Sequence, residues 1–331
     1  VEYGLILEMA RDRLETERED KAKTALLTGL TRPKLLKTNL ALGKLMPGKR
    51  VPAFLSRAIS GQAAEADRPE AQSLANLPPL DHAALPPVKG EVYLLEGCAM
   101  RVLFPRVHQV TRRLLRRAGF VVREVDQGCC GSMHAHNGHL DDARVLAAEL
   151  MGAMPGDLPV IVNSAGCGST MKAYGHLFAH PEGPEAFAAR VFDLSEFLVN
   201  NGLVEELARA PGLAKKVTYH DACHLAHGQK IWEAPRTLIR SIPGIQYIEL
   251  PEADTCCGSA GIYNVTQPAS ARTMLDRKWK NVEATGASIV ATGNPGCHAW
   301  IAQAAREKGR RVEVLHTAEL LESAFNPIGP G

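Results

Sequence analysis

Gln127-Gly128-Cys129-Cys130-Gly131-Ser132 and, 127 residues further on, Asp254-Thr255-Cys256-Cys257-Gly258-Ser259 are the two stretches on which the reading of this chain turns. Each sits inside a larger set. Cys98, Cys129, Cys130 and Cys167 are separated by 30, 0 and 36 residues; Cys223, Cys256, Cys257 and Cys297 by 32, 0 and 39. Equivalent members are offset by 125, 127, 127 and 130 residues, so all eight cysteines belong to one duplicated pattern. The flanks repeat as well. Asn163-Ser164-Ala165-Gly166-Cys167 parallels Gly293-Asn294-Pro295-Gly296-Cys297, and Glu91-Val92-Tyr93-Leu94-Leu95 parallels Lys216-Val217-Thr218-Tyr219-His220.

Working outward, each half reads as the same string of elements. Short β-rich runs lie at Val92–Leu95, Phe120–Glu124, Val160–Asn163 and Arg190–Asp193, with counterparts at Lys216–Tyr219, Gln246–Glu249, Ser288–Ala291 and Val312–Leu315. Helical spacing fills the gaps, at Val107–Arg117 and Leu140–Met154, and again at Ala234–Ser241 and Ala269–Glu283. Strands alternating with helices predict an α/β fold of two duplicated, Rossmann-like, doubly wound parallel sheets. Asp193 and His316 each precede an apolar helix as a cap. The cysteines follow the first three strands of each half, where the loops of a parallel sheet converge on one edge.

The first 90 residues differ: Glu2–Glu19 and Arg32–Leu45 have helical spacing, and Gly61–Lys89 is an Ala/Pro-rich linker. The expected division is therefore 1–90, 91–212 and 213–331. Lys34, Lys37, Lys44, Lys49 and Arg50 form a basic cluster that reads as a solvated helix face. Across 331 residues the net charge is only +2 and aromatics make up 5%, which argues against a nucleic-acid partner. No apolar run reaches the roughly 18 residues that span a bilayer, and Val1 does not open a signal peptide. The expected setting is the cytoplasm, with peripheral attachment to the membrane's inner face left open.

Eight cysteines in a long chain without an export signal point to metal or redox chemistry rather than disulfides. Thiolates suit iron–sulfur clusters and zinc. Zinc sites usually rely on close pairs such as C-x2-C, which are absent here. Adjacent cysteines diverge along the backbone, so Cys129 and Cys130 suit different irons of a larger core, with Gly131 turning the chain around it. Zinc remains the alternative, as does an inert buried thiol. His134, His136, His139, His224, His227 and His298 lie near these loops as tuning groups or ordinary polar residues, and Lys230 as a solvated counter-charge. Neither a dinucleotide fingerprint, a Walker pattern nor a ferredoxin-type C-x2-C-x2-C run is present.

Glu96-Gly97-Cys98-Ala99, Gly128-Cys129-Cys130-Gly131, Ser164-Ala165-Gly166-Cys167-Gly168, Cys223–Lys230, Cys256-Cys257-Gly258-Ser259-Ala260-Gly261 and Gly296-Cys297 resemble the C-terminal cysteine-rich (C-C-G) domain pair of the glycolate oxidase iron–sulfur subunit. The resemblance covers residues 91 to 322. Lactate-utilisation iron–sulfur subunits and the cysteine-rich subunit of heterodisulfide reductase are similar at greater distance. In the heterodisulfide reductase branch the last cysteine of each repeat opens a C-x-x-C; Thr170 and Trp300 stand at those second positions here, which puts a thiol/disulfide reductase role in doubt. The family's ferredoxin-like part is missing, and the opening Val1-Glu2-Tyr3-Gly4 resembles the segment directly after it, so a fragment is expected. The resemblance implies an electron-transfer subunit of a flavin-linked glycolate or D-lactate dehydrogenase, passing electrons from an FAD-bearing flavoprotein partner, with a ferredoxin-like domain, toward the quinone pool. It implies one or two clusters of [4Fe-4S] type, ligated by Cys98, Cys129, Cys130 and Cys167 and by Cys223, Cys256, Cys257 and Cys297. No acid–base set for substrate oxidation is present, and no catalytic residue is assigned. The rival is a zinc-binding or cluster-free module that docks such a complex together.

Overall fold

The computed structural model describes residues 3–17, 21–38, 77–81, 83–309 and 312–326. Two four-stranded, all-parallel sheets follow the two repeats. In the first, β1 (Gly90–Leu95), β2 (Phe120–Val122), β3 (Val160–Val162) and β4 (Val191–Asp193) lie in the order β2-β1-β3-β4. In the second, β5 (Lys216–Tyr219), β6 (Gln246–Tyr247), β7 (Ile289–Thr292) and β8 (Glu313–His316) lie in the equivalent order β6-β5-β7-β8. The central strands are continuous apolar runs, Val92–Leu95 and Val160–Val162 among them, because helices cover both faces of a parallel sheet.

In chain order the helices are α1 (Tyr3–Glu17), α2 (Lys21–Thr31), α3 (Ala99–Leu103), α4 (Pro105–Arg117), α5 (Ser132–Ala135), α6 (Leu140–Ala153), α7 (Ala165–Lys172), α8 (Glu182–Ala188), α9 (Leu194–Asn200) and α10 (Leu203–Ala208). The second half adds α11 (Glu233–Arg240), α12 (Tyr263–Thr266), α13 (Pro268–Thr285), α14 (Pro295–Glu307) and α15 (Thr317–Phe325). Four of them form a layer shared by the two halves: α4 packs on α15, and its counterpart α11 on α9. Val110, Leu114, Leu198, Leu238 and Leu321 are fully buried there. The pairing of α4 with α15 of the other half, and of its counterpart α11 with α9, gives the molecule a pseudo-two-fold axis. On the outer faces, α6 buries Ala143, Ala147, Leu150 and Met154, and α13 buries Ala271, Leu275, Lys278 and Val282 at the same helical spacing.

The expected caps form. Asp193 accepts from the Ser195 amide while Glu196 reaches back to Asp193, and His316 and Glu319 repeat the capping box on α15. Four strands are shorter than their sequence suggests, β3 and β4 by one residue and β2 and β6 by two. β2 stops before Glu124 and β6 before Glu249, and both carboxylates pair with arginines of the preceding helices, α4 and α11. Arg112 binds Glu124 at 2.9 Å and Glu96 at 2.8 Å; Arg236 binds Glu249 at 2.6 Å and Asp221 at 2.7 Å. In each half one arginine thus ties the loop before the first cysteine to the loop before the C-C-G.

α1 corresponds to the expected helix at Glu2–Glu19. Of the expected helix at Arg32–Leu45, residues 39–45 lie outside the described residues, as do 61–76 of the linker, and Lys44, Lys49 and Arg50 of the basic cluster. Lys34 and Lys37 are exposed. The sequence suggests no role for α1, yet it docks on the segment after the first C-C-G. Glu8 meets His136 Nδ1 at 2.5 Å, Arg11 donates to the His136 carbonyl at 2.5 Å, and Lys23 of α2 donates to the Asn137 carbonyl at 2.9 Å. Gly138 (φ +82°) allows the approach, since a Cβ there would stand 2.6 Å from the Arg11 backbone. Gly138→Ala, with about 1–2 kcal/mol of left-handed strain added to that clash, should release α1. Hydrogen exchange should show α1 losing protection while β1 and β3 keep theirs; unchanged α1 protection would contradict the docking.

Candidate functional site

Parallel topology brings the carboxyl ends of all strands of a half to one edge, and the pseudo-two-fold axis turns the two edges toward each other. All eight cysteines consequently line one cavity of about 280 Å³, a convergence between halves that the spacing alone does not reveal. Cys98 is the N-cap of α3 and Cys223 stands at the same place before a π-type turn, His224–Gly228. Cys167 and Cys297 lie in the first turns of α7 and α14, where the helix N-terminus favours a thiolate. Cys98, Cys129, Cys130, Cys257 and Cys297 are buried; Cys167, Cys223 and Cys256 are partly so.

The C-C-G turns are built alike. The Gly131 amide donates to Cys129 Sγ at 3.4 Å and the Gly258 amide to Cys256 Sγ at 3.3 Å. Gly131 has φ +80° and a Cβ there would stand 2.8 Å from the Ala143 carbonyl; Gly258 has φ +92° and 2.5 Å to the Ala271 carbonyl. The glycine is required by the close approach of α6 and α13 as well as by the turn. Both members of each adjacent pair, Cys129 with Cys130 and Cys256 with Cys257, line the cavity. The left-handed glycine after each pair curls the loop enough to aim both inward.

Within each set the thiols contact one another in series, and the two series titrate alike. Cys129 and Cys167 are driven down by hydrogen bonds from Cys130, Cys256 by one from Cys223 to about 2, and Cys297 by one from Cys257. Cys98, Cys130, Cys223 and Cys257 are driven up by the thiolates they serve, and by burial. The shifts alternate in direction along each set, as four unscreened negative charges in one buried pocket would cost several kcal/mol per ion. A positively charged core would let all four ionise. The donor set therefore fits a metal centre.

The halves are stitched together around the cavity. The Ala165 amide donates to the Gly293 carbonyl at 3.1 Å and the Gly166 amide to Asn294 Oδ1 at 3.2 Å, while Gln229 Nε2 donates to the Ala165 carbonyl at 3.1 Å. Pro295, the counterpart of Ala165, has no N–H; His316 Nε2 meets the Asn163 carbonyl at 2.8 Å in its stead. His136 stacks on His224 across the junction at 4.6 Å, and burial pushes His224 down to about 4. Among the other histidines noted in the sequence, His298 turns to the Val314 carbonyl at 2.9 Å, His227 is exposed beside Asp254, and His134 and His139 pack edge to face. Lys230 is exposed, 6.0 Å from the Trp232 ring. One group does not stand out in the sequence: the ligand atoms of His220, Cys257 and Cys297 lie within 4.8 Å of one another, all buried. His220 closes a β-rich run, and nothing local distinguishes it from a strand residue.

These features define a duplicated cysteine-rich α/β protein with a paired thiol site at its centre. The chain belongs to the family of the cysteine-rich domain (CCG), whose model matches residues 92–172 and 217–302. It is 36% identical over 248 residues to a probable glycolate oxidase iron–sulfur subunit of Bacillus subtilis, covering 72% of this chain and 55% of that one. It is 30% identical over 241 residues to lactate utilization protein A of Oceanobacillus iheyensis, covering 70% of this chain and 97% of that one. The chain thus spans about half the length of the first relative and nearly all of the second. A hypothetical protein from Helicobacter pylori has a similar fold, with TM-score 0.50 at 11% identity over 83% of this chain and 58% of that one. No helix among the described residues is long and apolar enough to cross a membrane.

Proposed function

We propose that the chain is the electron-carrying part of an iron–sulfur subunit that serves a flavin-linked glycolate or D-lactate dehydrogenase. The observation that carries this reading is the convergence of two four-thiol sets on a single cavity. Cys98, Cys129, Cys130 and Cys167 hold one centre, and Cys223, Cys256, Cys257 and Cys297 the other, each of [4Fe-4S] type. Such centres take up and release single electrons. The protein's own share is to hold the thiolates, donate the Gly131 and Gly258 amides to sulfur and keep water out. Lying in one cavity, the centres are close enough to exchange electrons directly. The electrons come from an FAD-bearing partner and, with a ferredoxin-like domain, pass on to the quinone pool at the cytoplasmic face of the membrane. Oxidation of the hydroxy acid belongs to the flavoprotein.

Heterodisulfide reduction is disfavoured. Thr170 Oγ1 donates to Ser132 Oγ at 3.0 Å and Trp300 is an aromatic wall of the cavity, so neither position supplies a fifth thiolate. A zinc-bearing docking module is the second reading, favoured by the mixed nitrogen and sulfur donors at His220, Cys257 and Cys297. Anaerobic reconstitution with iron and sulfide separates the two. A brown protein with about eight irons and as many sulfides, giving EPR signals on reduction, is expected; a colourless protein with stoichiometric zinc would refute the cluster reading.

A further inference from the structure

The two cysteine sets are matched, but their surroundings are not. At the end of β1 the residue facing the first set's side of the sheet is Leu95; at the end of β5 its counterpart is His220, fully buried. The Nδ1 of His220 faces the Ala253 carbonyl at 3.1 Å, which makes that nitrogen the protonated one. Nε2 is then left buried with its lone pair and no hydrogen bond of good geometry, and the sulfurs of Cys257 and Cys297 lie beside the ring. A ring nitrogen freed in this way by a carbonyl on its other side is the arrangement of a metal-bound imidazole. Other buried histidines, His134 among them, also keep one ring nitrogen without a partner; among the described residues, His220 is set apart by two cysteine sulfurs within 4.8 Å of a ring nitrogen.

A second exchange accompanies it. On α6 the buried series runs Ala143, Ala147, Leu150, Met154; on α13 it runs Ala271, Leu275, Lys278, Val282. Lys278 is 1% exposed and its ammonium donates to the Glu252 carbonyl and, at 3.2 Å, to the same Ala253 carbonyl that orients His220. Two leucines of the first half have become an imidazole and an ammonium joined through one peptide oxygen behind the second C-C-G. A buried cation is expensive unless it balances a buried anion, and the second thiolate set is the anion at hand.

We propose that His220 Nε2 is a metal ligand of the second centre, with Cys257 and Cys297, and that the first centre has no such ligand. This rests on reading the cysteines as metal ligands. The imidazole then replaces one of the two partly exposed cysteines, Cys223 or Cys256, as a ligand, and with Lys278 behind it the second centre is less negative than the first. Exchanging thiolate for imidazole raises a cluster's potential, so the first electron added to the chain settles on the second centre.

The test needs no mutation at first. The holoprotein is grown with ¹⁵N-histidine, poised with dithionite at one electron per chain, and read by pulsed EPR. A nitrogen coupling of directly bound strength, changing with the label, is expected on the centre reduced first. In His220→Leu, which restores the first half's residue, that coupling should vanish and the two midpoint potentials should draw together. If the second set holds zinc, imidazole scattering in X-ray absorption reads the same bond. Metal at the second set without any histidine nitrogen would overturn the proposal alone. A chain that takes up no metal at either set would overturn it together with the cysteine assignment.

Discussion

Cys257→Ser is expected to cut the bound iron from about eight atoms to about four per chain and to leave the first centre's EPR signal in place. Cys257 is 1% exposed and stands between Cys256 and Cys297 in the series of contacts, so its loss interrupts the second set at its middle. A serine hydroxyl in the same space is a harder, far less acidic donor, poorly matched to a sulfide-rich core. Cys130→Ser should mirror the result, removing the first centre and sparing the second. The contrast matters because the two sets share a cavity: loss of all iron from either variant would show one joint centre in place of two. Full iron retention in both would remove these cysteines from the ligand set. Iron and acid-labile sulfide analysis, with EPR of the reduced proteins, decides among these results.

Arg236→Met should destabilise the chain by about 3–5 kcal/mol, the usual consequence of stripping one partner from a buried ion pair. Arg236 binds Asp221 through two parallel hydrogen bonds, at 2.8 and 2.7 Å, and only 2% of the Asp221 side chain is exposed. Methionine fills the volume but leaves the carboxylate uncompensated two residues before Cys223. Arg112→Met makes the corresponding cut in the first half, where Glu96 is 22% and Glu124 69% exposed. There the loss should be about 1 kcal/mol, since water can solvate what the arginine abandons. Denaturant midpoints of the two variants supply the comparison. Equal, small losses would show that the second triad is no more than a surface feature.

Much of the architecture is legible in the sequence because it is local and repeated. Val92–Leu95 and Val160–Asn163 are β-branched or aliphatic runs too short for helices. The C-C-G pairs mark the same loop twice, and Asp193 and His316 precede apolar helices by the rules of capping. Parallel topology then places strand-end cysteines together without any contact being known. The features that escape a sequence reading are non-local. Arg112 and Arg236 read as ordinary helical arginines, since their carboxylates lie in other loops. His220 differs from Leu95 only in what α13 and the Ala253 carbonyl bring to it. The histidines near the cysteine loops divide by orientation, His298 facing a backbone carbonyl while His136 and His224 stack at the cavity. The shared cavity depends on the pairing of α4 with α15 and α9 with α11, which amphipathic spacing permits but does not specify.

The anchoring of α1 has a consequence for any module joined ahead of it. Glu8 and Arg11 are pinned to the loop beyond the first C-C-G, and Tyr3 lies about 8 Å along the helix from Glu8. A module attached there by a short tether would meet the first cysteine set at an effective concentration in the millimolar range, by the arithmetic of linked domains. It would need little affinity of its own to engage that set. Encounter would be supplied by covalent geometry, and surface complementarity would be free to serve other partners.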